Sequence, residues 1–198
     1  MPEPKTLLEL AGADLKPAKV SGATLLLIDF QNEYVGGPLG LPGAAGAVQR
    51  AARLLGRARD AGAPVVHVAH KGRAGGLFDR DAERGQIIGA LTPRAGETVI
   101  EKALPNAFAG TTLHAVLKEA GRNDVIIAGF MTHMCVSSTA RAALDLGYRV
   151  TIDASACATR DLPDGRGSHV DADVVHKVAL IELSDRFAVI AHDPEALK

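Results

Sequence analysis

The sequence predicts a three-layer α/β/α domain built on a doubly wound, mostly parallel six-stranded sheet. Short aliphatic and β-branched runs alternate along the chain with segments whose apolar residues recur at helical spacing. These runs are apolar on both faces, as expected for parallel strands that are covered by helices on either side. We interpret residues 1–198 as one domain, with residues 1–20 as an N-terminal appendage that could pack on a neighbouring subunit.

The elements follow in regular order. Strands are predicted at residues 24–29 (TLLLID), 64–70 (PVVHVAH), 97–102 (ETVIEK), 124–129 (DVIIAG), 148–154 (YRVTIDA) and 186–191 (RFAVIA). Helices are predicted at residues 42–62, 110–120, 136–146 and 170–183, and the first three are ended by Gly62, Gly121 and Gly147. Residues 72–85 are rich in glycine and charge, which indicates an excursion over the surface.

Composition excludes several classes of function. The net charge is −1 and Lys and Arg form no basic stripe, so we expect no nucleic-acid partner. No apolar run approaches the roughly 20 residues of a membrane helix, so we expect no membrane partner. The N-terminal residues lack a basic start followed by an apolar run, which is not the pattern of a signal peptide. The two cysteines, Cys135 and Cys157, are therefore expected to be free thiols in the cytoplasm.

Three chemically distinct side chains end strands or follow them. Asp29 ends the first strand, Lys102 ends the third, and Cys135 follows the fourth. Taken singly, they could be a turn former, a solvated lysine and a small core residue. Because ligands of such sheets bind at the carboxyl ends of the strands, we expect the three to converge there.

The chemistry of these groups is complementary. A free thiol has a pKa of about 8.5, and both the start of a helix and a neighbouring lysine favour its thiolate form. We therefore expect Lys102 and the helix start to lower the pKa of Cys135. Asp29 would accept the thiol proton and later activate water.

Three segments in order, DFQNEY at 29–34, EKALPNAFAGTTL at 101–113 and GFMTHMCVSST at 129–139, resemble the isochorismatase-like cysteine hydrolases. This superfamily includes nicotinamidases and N-carbamoylsarcosine amidases, and the resemblance covers about residues 23–190. It implies that Asp29, Lys102 and Cys135 form a catalytic triad. It also implies a cis peptide between Phe130 and Met131, with the backbone amides of Met131 and Cys135 forming an oxyanion hole.

The same resemblance implies a set of pocket residues: Gln31, Tyr34, Phe108 and Thr132. Two of them have alternative interpretations, because Phe108 could belong to the core and Thr132 could cap the helix or stiffen the turn. The substrate itself is not specified by the sequence.

The resulting functional hypothesis is a cysteine-dependent hydrolase that cleaves a small amide-type C–N bond through a thioester. The alternatives are an isochorismatase-type vinyl-ether hydrolase, which needs no nucleophile, and a catalytically silent binding protein of the same fold. The expected partner is a small-molecule substrate. The resemblance further implies a homodimer or homotetramer, with the helix at residues 136–146 as a candidate contact.

The histidines suggest two further alternatives. His67 and His70 lie on one strand end, but two histidines do not supply the three or four ligands of a zinc site. We therefore predict no metal and no cofactor. A papain-like pairing of Cys135 with His133 or His176 is the other alternative.

Overall fold

The computed structural model describes residues 3–198. Its strands are β1 (Thr24–Ile28), β2 (Val65–His70), β3 (Thr98–Lys102), β4 (Asp124–Phe130), β5 (Arg149–Ala158), β6 (Leu162–Pro163), β7 (His169–Val170) and β8 (Val189–Ala191). Six of them form one sheet in the order β3-β2-β1-β4-β5-β8, and every neighbouring pair in it is parallel. The predicted fold class is thus confirmed. The short strands β6 and β7 form a separate antiparallel ribbon.

The helices are α1 (Leu7–Leu10), α2 (Glu33–Gly36), α3 (Ala44–Asp60), α4 (Leu113–Glu119), α5 (Ser137–Asp145) and α6 (Ala172–Arg186). A π-helical turn, Thr132–Val136, joins β4 to α5. Short 3₁₀ turns lie at Val20–Gly22, Glu83–Gly85, Gly89–Leu91 and Pro194–Leu197. Between residues 3 and 198, no helix has the length and apolar character needed to cross a bilayer.

Alternation along β1 explains why both faces of the sheet are covered. Leu25 and Leu27 belong to the core cluster that contains α3, whereas Leu26 and Ile28 belong to the cluster that contains residues of α4, α5 and α6. Successive side chains of a strand point to opposite faces, so a strand that is aliphatic at every position requires a helical layer on each side.

The N-terminal segment packs on its own domain. The Leu7 N–H donates to Asp185 Oδ1 at 2.8 Å, and the Ala18 N–H donates to Thr151 Oγ1 at 3.0 Å. These bonds tie the segment to α6 and β5, so the described part of the appendage lies against the same subunit. Residues 1 and 2 lie outside the described residues.

Close backbone approach shapes the centre of the sheet. Gly129 in β4 has a φ of +153°, and a Cβ atom there would lie 2.3 Å from the carbonyl oxygen of Ile28. The pairing of β4 with β5 shifts register between Ile127 and Gly129. Only glycine fits this position, which aims the end of β4 into the turn that carries Cys135.

Candidate active site

Three strand ends bring Asp29, Lys102 and Cys135 into contact. Lys102 Nζ lies 2.7 Å from Asp29 Oδ2 and 3.3 Å from Cys135 Sγ. All three residues are buried, at 0%, 2% and 3% exposure respectively. The structure therefore brings together the three residues that the sequence singled out, although they are remote along the chain.

Local backbone geometry aims two of these residues. Asp29, immediately after β1, has a φ of +53°, a conformation that a non-glycine residue adopts only where its surroundings hold it. The Phe130–Met131 peptide bond is cis. Cys135 was expected in the first turn of a helix at 136–146. It lies instead in the π-helical turn that precedes α5.

The ionisation of Cys135 differs from the expectation. Burial, followed by the negative charge of Asp29, raises the pKa of the Cys135 thiol to about 12, and Lys102 offsets only part of this. Burial also raises the pKa of Asp29, against the opposing effect of Lys102. The prediction of a lowered cysteine pKa was wrong because burial of the thiol, followed by the charge of Asp29, outweighs the effect of Lys102. The resting site holds a neutral thiol beside an ion pair.

The turn that carries the expected oxyanion amides is closed by its own hydrogen bonds. The N–H groups of Met134 and Val136 donate to the Met131 carbonyl at 3.0 and 3.3 Å. Met131 and Cys135 are both buried. A rigid turn of this kind holds backbone N–H groups in fixed directions, which is what stabilisation of an oxyanion requires.

Gln31 is not placed to bind a substrate. Its Nε2 donates to the carbonyls of His70 and Gly85 at 2.9 and 2.7 Å, and its Oε1 accepts from the His70 N–H at 2.8 Å. With the side chain fully buried, its donors are both engaged by backbone. The prediction is corrected: Gln31 clamps the excursion at residues 72–85 to the end of β2.

The two aromatic pocket candidates have different surroundings. Tyr34 packs against Phe130 and Phe78, with ring centroids 5.5 and 5.1 Å away. Burial, followed by the charge of Asp29, raises the pKa of Tyr34, so this ring stands near the ion pair. Phe108 instead stacks on Tyr148 at 6.2 Å, at the amino end of β5. Phe108 is half-buried and packs against the core cluster that also contains Cys135, so its assignment to the pocket stays a prediction.

Thr132 and the two candidate histidine bases form contacts of their own. Thr132 Oγ1 lies 2.8 Å from His176 Nδ1, which links the turn to α6. His133 Nδ1 contacts Thr159 Oγ1 in the same way. The turn has no side-chain cap, so Thr132 does not cap the helix. Its assignment to the pocket stays a prediction. The contacts that the structure gives for the two histidine rings are with threonines, which does not support a Cys–His pairing.

His70 is a residue whose role the sequence did not reveal. Its Nδ1 lies 3.3 Å from Lys102 Nζ, because His70 and Lys102 are paired in the register of β2 and β3. His67 is separate and contacts Glu97 at 2.9 Å. Across residues 3–198, no three His, Cys, Asp or Glu side chains are grouped as metal ligands would be.

Comparison with known proteins identifies the family. The sequence profile of the isochorismatase domain matches residues 23–192. A secreted isochorismatase effector of Verticillium dahliae is 35% identical over 182 residues, covering 91% of this chain and 93% of that protein. The maleamate amidohydrolase of Pseudomonas putida is 35% identical over 145 residues, covering 65% of this chain and 68% of that protein.

A solved structure is similar over the whole length. The crystal structure of an isochorismatase from Pseudomonas putida KT2440 superimposes with a TM-score of 0.94 at 46% identity, covering 99% of this chain and 100% of that one. Profile, sequence and fold agree, and the chain belongs to the isochorismatase family of hydrolases.

Proposed function

We propose that this protein is a cysteine hydrolase that cleaves a C–N bond, other than a peptide bond, in a small amide through a thioester intermediate. The observation that carries the proposal is the contact of Lys102 Nζ with both Asp29 Oδ2 and Cys135 Sγ. An acid, an amine and a thiol buried together are the groups that nucleophilic acyl transfer requires.

The first stage forms the thioester. Because the resting thiol is protonated, its proton passes to the Asp29 carboxylate as sulfur attacks the acyl carbon. The resulting oxyanion is held by the amides of Met131 and Cys135, each donor contributing about 2.7–4 kcal/mol. When the C–N bond breaks, Asp29 returns the proton to the leaving nitrogen, which departs as ammonia or a small amine.

The second stage hydrolyses the thioester. Asp29, again a carboxylate, takes a proton from water as the water oxygen attacks the acyl carbon. The C–S bond breaks, the acid product leaves, and the proton on Asp29 passes to the Cys135 sulfur. Lys102 remains a cation throughout and balances the negative charge that moves between Asp29 and Cys135.

Arg160 supports a substrate that carries a negative charge. Its Nε–H is buried and donates to no side-chain or backbone acceptor among residues 3–198. Its positive charge acts on His133 and on Tyr34, and Tyr34 is also under the influence of Asp29 and Cys135 of the triad. An amide with a nearby carboxylate, such as maleamate, would give this guanidinium a partner, whereas the neutral diamide maleamide would not.

The test is an ammonia-release assay on a panel of small amides that includes maleamate and maleamide. We expect Cys135→Ala to abolish turnover and Asp29→Asn to lower kcat by roughly 10²–10⁴-fold. Cys157→Ala is the matched control, because this second buried thiol lies outside the triad, and it should retain activity. Full turnover by Cys135→Ala would refute the proposal.

A second candidate function is the vinyl-ether hydrolysis that gives the family its name. The similarity to an isochorismatase effector favours it. The chemistry needs a proton donor and no nucleophile, so isochorismate turnover that survives Cys135→Ala but not Asp29→Asn would select it. If the wild type hydrolyses neither the amides nor isochorismate, the protein is a catalytically silent binding protein.

We propose a cytoplasmic location, supported by the two free, buried thiols. Cell fractionation with an antibody against the protein tests this. Recovery from the culture medium would contradict it.

A further inference from the structure

Lys102 is surrounded by three acceptors. Its ammonium nitrogen lies 2.7 Å from Asp29 Oδ2, 3.3 Å from Cys135 Sγ and 3.3 Å from the third, His70 Nδ1. The lysine side chain is fully buried. An ammonium has three protons and no lone pair, so each proton is directed at one of these atoms.

This arrangement fixes the tautomer of His70. Because Lys102 can only donate, His70 Nδ1 must accept and cannot carry a proton. The proton of the neutral ring then resides on Nε2. Burial, followed by the charge of Lys102, lowers the pKa of His70 to about 4, in agreement with a neutral ring at neutral pH.

The Nε2 atom is the unused end of the ring. Among residues 3–198, the structure gives a hydrogen bond only to Nδ1 of this half-buried ring. Nε2 has no partner there and is not fully buried. The ring itself is held in place, since Phe78 packs edge-on against it at 5.0 Å and the His70 N–H binds Gln31.

We infer that His70 is a substrate-recognition residue, held by Lys102 as a neutral imidazole whose Nε2–H donates to a hydrogen-bond acceptor of the substrate beside Cys135. The substrate class is thereby narrowed to amides that carry a second acceptor, a carbonyl or carboxylate oxygen, next to the scissile group. This inference rests on the proposed function, because it presumes that substrate reaches Cys135.

Nuclear magnetic resonance tests the tautomer without any substrate. In ¹⁵N-labelled protein at neutral pH, we expect the His70 resonances of a protonated Nε2 and an unprotonated Nδ1, assigned by their loss in His70→Asn. A proton on Nδ1, or a doubly protonated ring, would overturn the inference.

Two alkylating agents test the donor. Iodoacetamide carries a carbonyl acceptor and methyl iodide carries none. In each case the Cys135 sulfur forms a bond to carbon, iodide leaves, and the thiol proton passes to the Asp29 carboxylate. The measurement is the ratio of the two rates at Cys135, read by mass spectrometry of its peptide, with Cys135→Ala as the blank. The methyl iodide rate reports the thiol alone, and the ratio reports recognition of the carbonyl.

The matched variants are His70→Asn and His70→Gln. An asparagine oxygen can replace Nδ1 as the acceptor for Lys102 but does not reach the place of Nε2, whereas a glutamine amide can reach it. We expect the ratio to fall roughly three- to tenfold in His70→Asn, the effect of one lost hydrogen bond, and to recover in His70→Gln.

The outcomes separate the two claims. A merely structural His70 would change both rates in proportion, so an unchanged ratio in His70→Asn overturns the inference while leaving the nucleophile in place. A Cys135 that reacts with neither agent refutes the proposed function, and the assignment of His70 falls with it.

Discussion

At the scale of single residues, the site depends on how one ammonium is shared. Lys102 Nζ pairs with Asp29 Oδ2 at 2.7 Å. The negative charge of Asp29 therefore offsets much of the effect of Lys102 on the Cys135 thiol. Cys135 is buried in the same place and faces a negative neighbour, and both effects favour the protonated thiol. Activation therefore has to come from proton transfer during the reaction and cannot come from a thiolate formed beforehand.

The ionisation of Cys135 gives a direct prediction. An acid whose pKa is raised to about 12 stays protonated below that pH, so no thiolate should form at Cys135 between about pH 6 and pH 9. The measurement is the ultraviolet thiolate absorbance of wild type minus that of Cys135→Ala. Cys157→Ala is the control and should match the wild type. A thiolate signal with a midpoint near pH 7 would contradict a protonated resting thiol, and with it the role of Asp29 as the base that removes the thiol proton.

Residue positions and residue chemistry differ in how far sequence predicts them. Asp29, Lys102 and Cys135 could be found because each ends or follows a strand, and parallel strands end at one edge. The pKa of Cys135 could not be predicted in this way. It depends on how strongly burial and two opposite charges act on the thiol, and only the fold sets those distances. His70 was missed for a related reason: its role depends on a contact with Lys102 on the next strand, which the sequence does not reveal.

At the scale of elements, the site is held by a loop that is bound to the sheet through buried polar bonds. Gln31 joins the end of β1 to the end of β2 and to Gly85 in the excursion. Glu33, also buried, accepts from the Phe78 N–H at 3.2 Å. No periodic pattern marks such contacts, so residues 72–85 could be predicted only as a surface loop. Gln31 was assigned to the pocket by the family resemblance alone.

Replacement of Gln31 by alanine should show this clamp. Gln31→Ala removes three hydrogen bonds to backbone groups, two on His70 and one on Gly85, whose carbonyl keeps its contact with Arg80. We expect a loss of on the order of 2–4 kcal/mol in the free energy of unfolding. Denaturant unfolding measures it. Asn32→Ala is the control: its side chain binds the same excursion through Glu83, but at an exposed position, and should cost about 0.5 kcal/mol. Equal losses would argue against the clamp.

Gly129 makes a second prediction at this scale. Gly129→Ala would place its Cβ 2.3 Å from the Ile28 carbonyl at a φ of +153°, so β4 must shift, and we expect about 3 kcal/mol of destabilisation with reduced turnover. Gly62→Ala also has a positive φ, of +61°, but meets nothing within 4 Å. It should cost only about 1 kcal/mol. A Gly129→Ala protein as stable as Gly62→Ala would show that β4 adapts freely.

At the scale of the whole molecule, one helix remains apolar on its outer side. The exposed apolar residues of β7 and α6 are Val170, Val174, Val178 and Ile181, at 38%, 49%, 48% and 56% exposure. Their spacing of three or four residues places them along one stripe. The helix predicted to meet another subunit, residues 136–146, instead packs its small residues inward, with Ala140 and Ala143 fully buried.

We therefore propose that the expected homo-oligomer forms through α6, because a second copy of the same stripe would remove it from water on both subunits at once. The variant Val174→Asp combined with Val178→Asp places charge at the centre of the stripe without touching the core. We expect it to halve the mass measured by light scattering on a sizing column, with the unfolding midpoint reported alongside. Leu146→Asp, at the end of the other helix and 42% exposed, is the matched control and should leave the mass unchanged. A mass change in Leu146→Asp alone would show that the subunits meet through the helix predicted at residues 136–146 and not through α6.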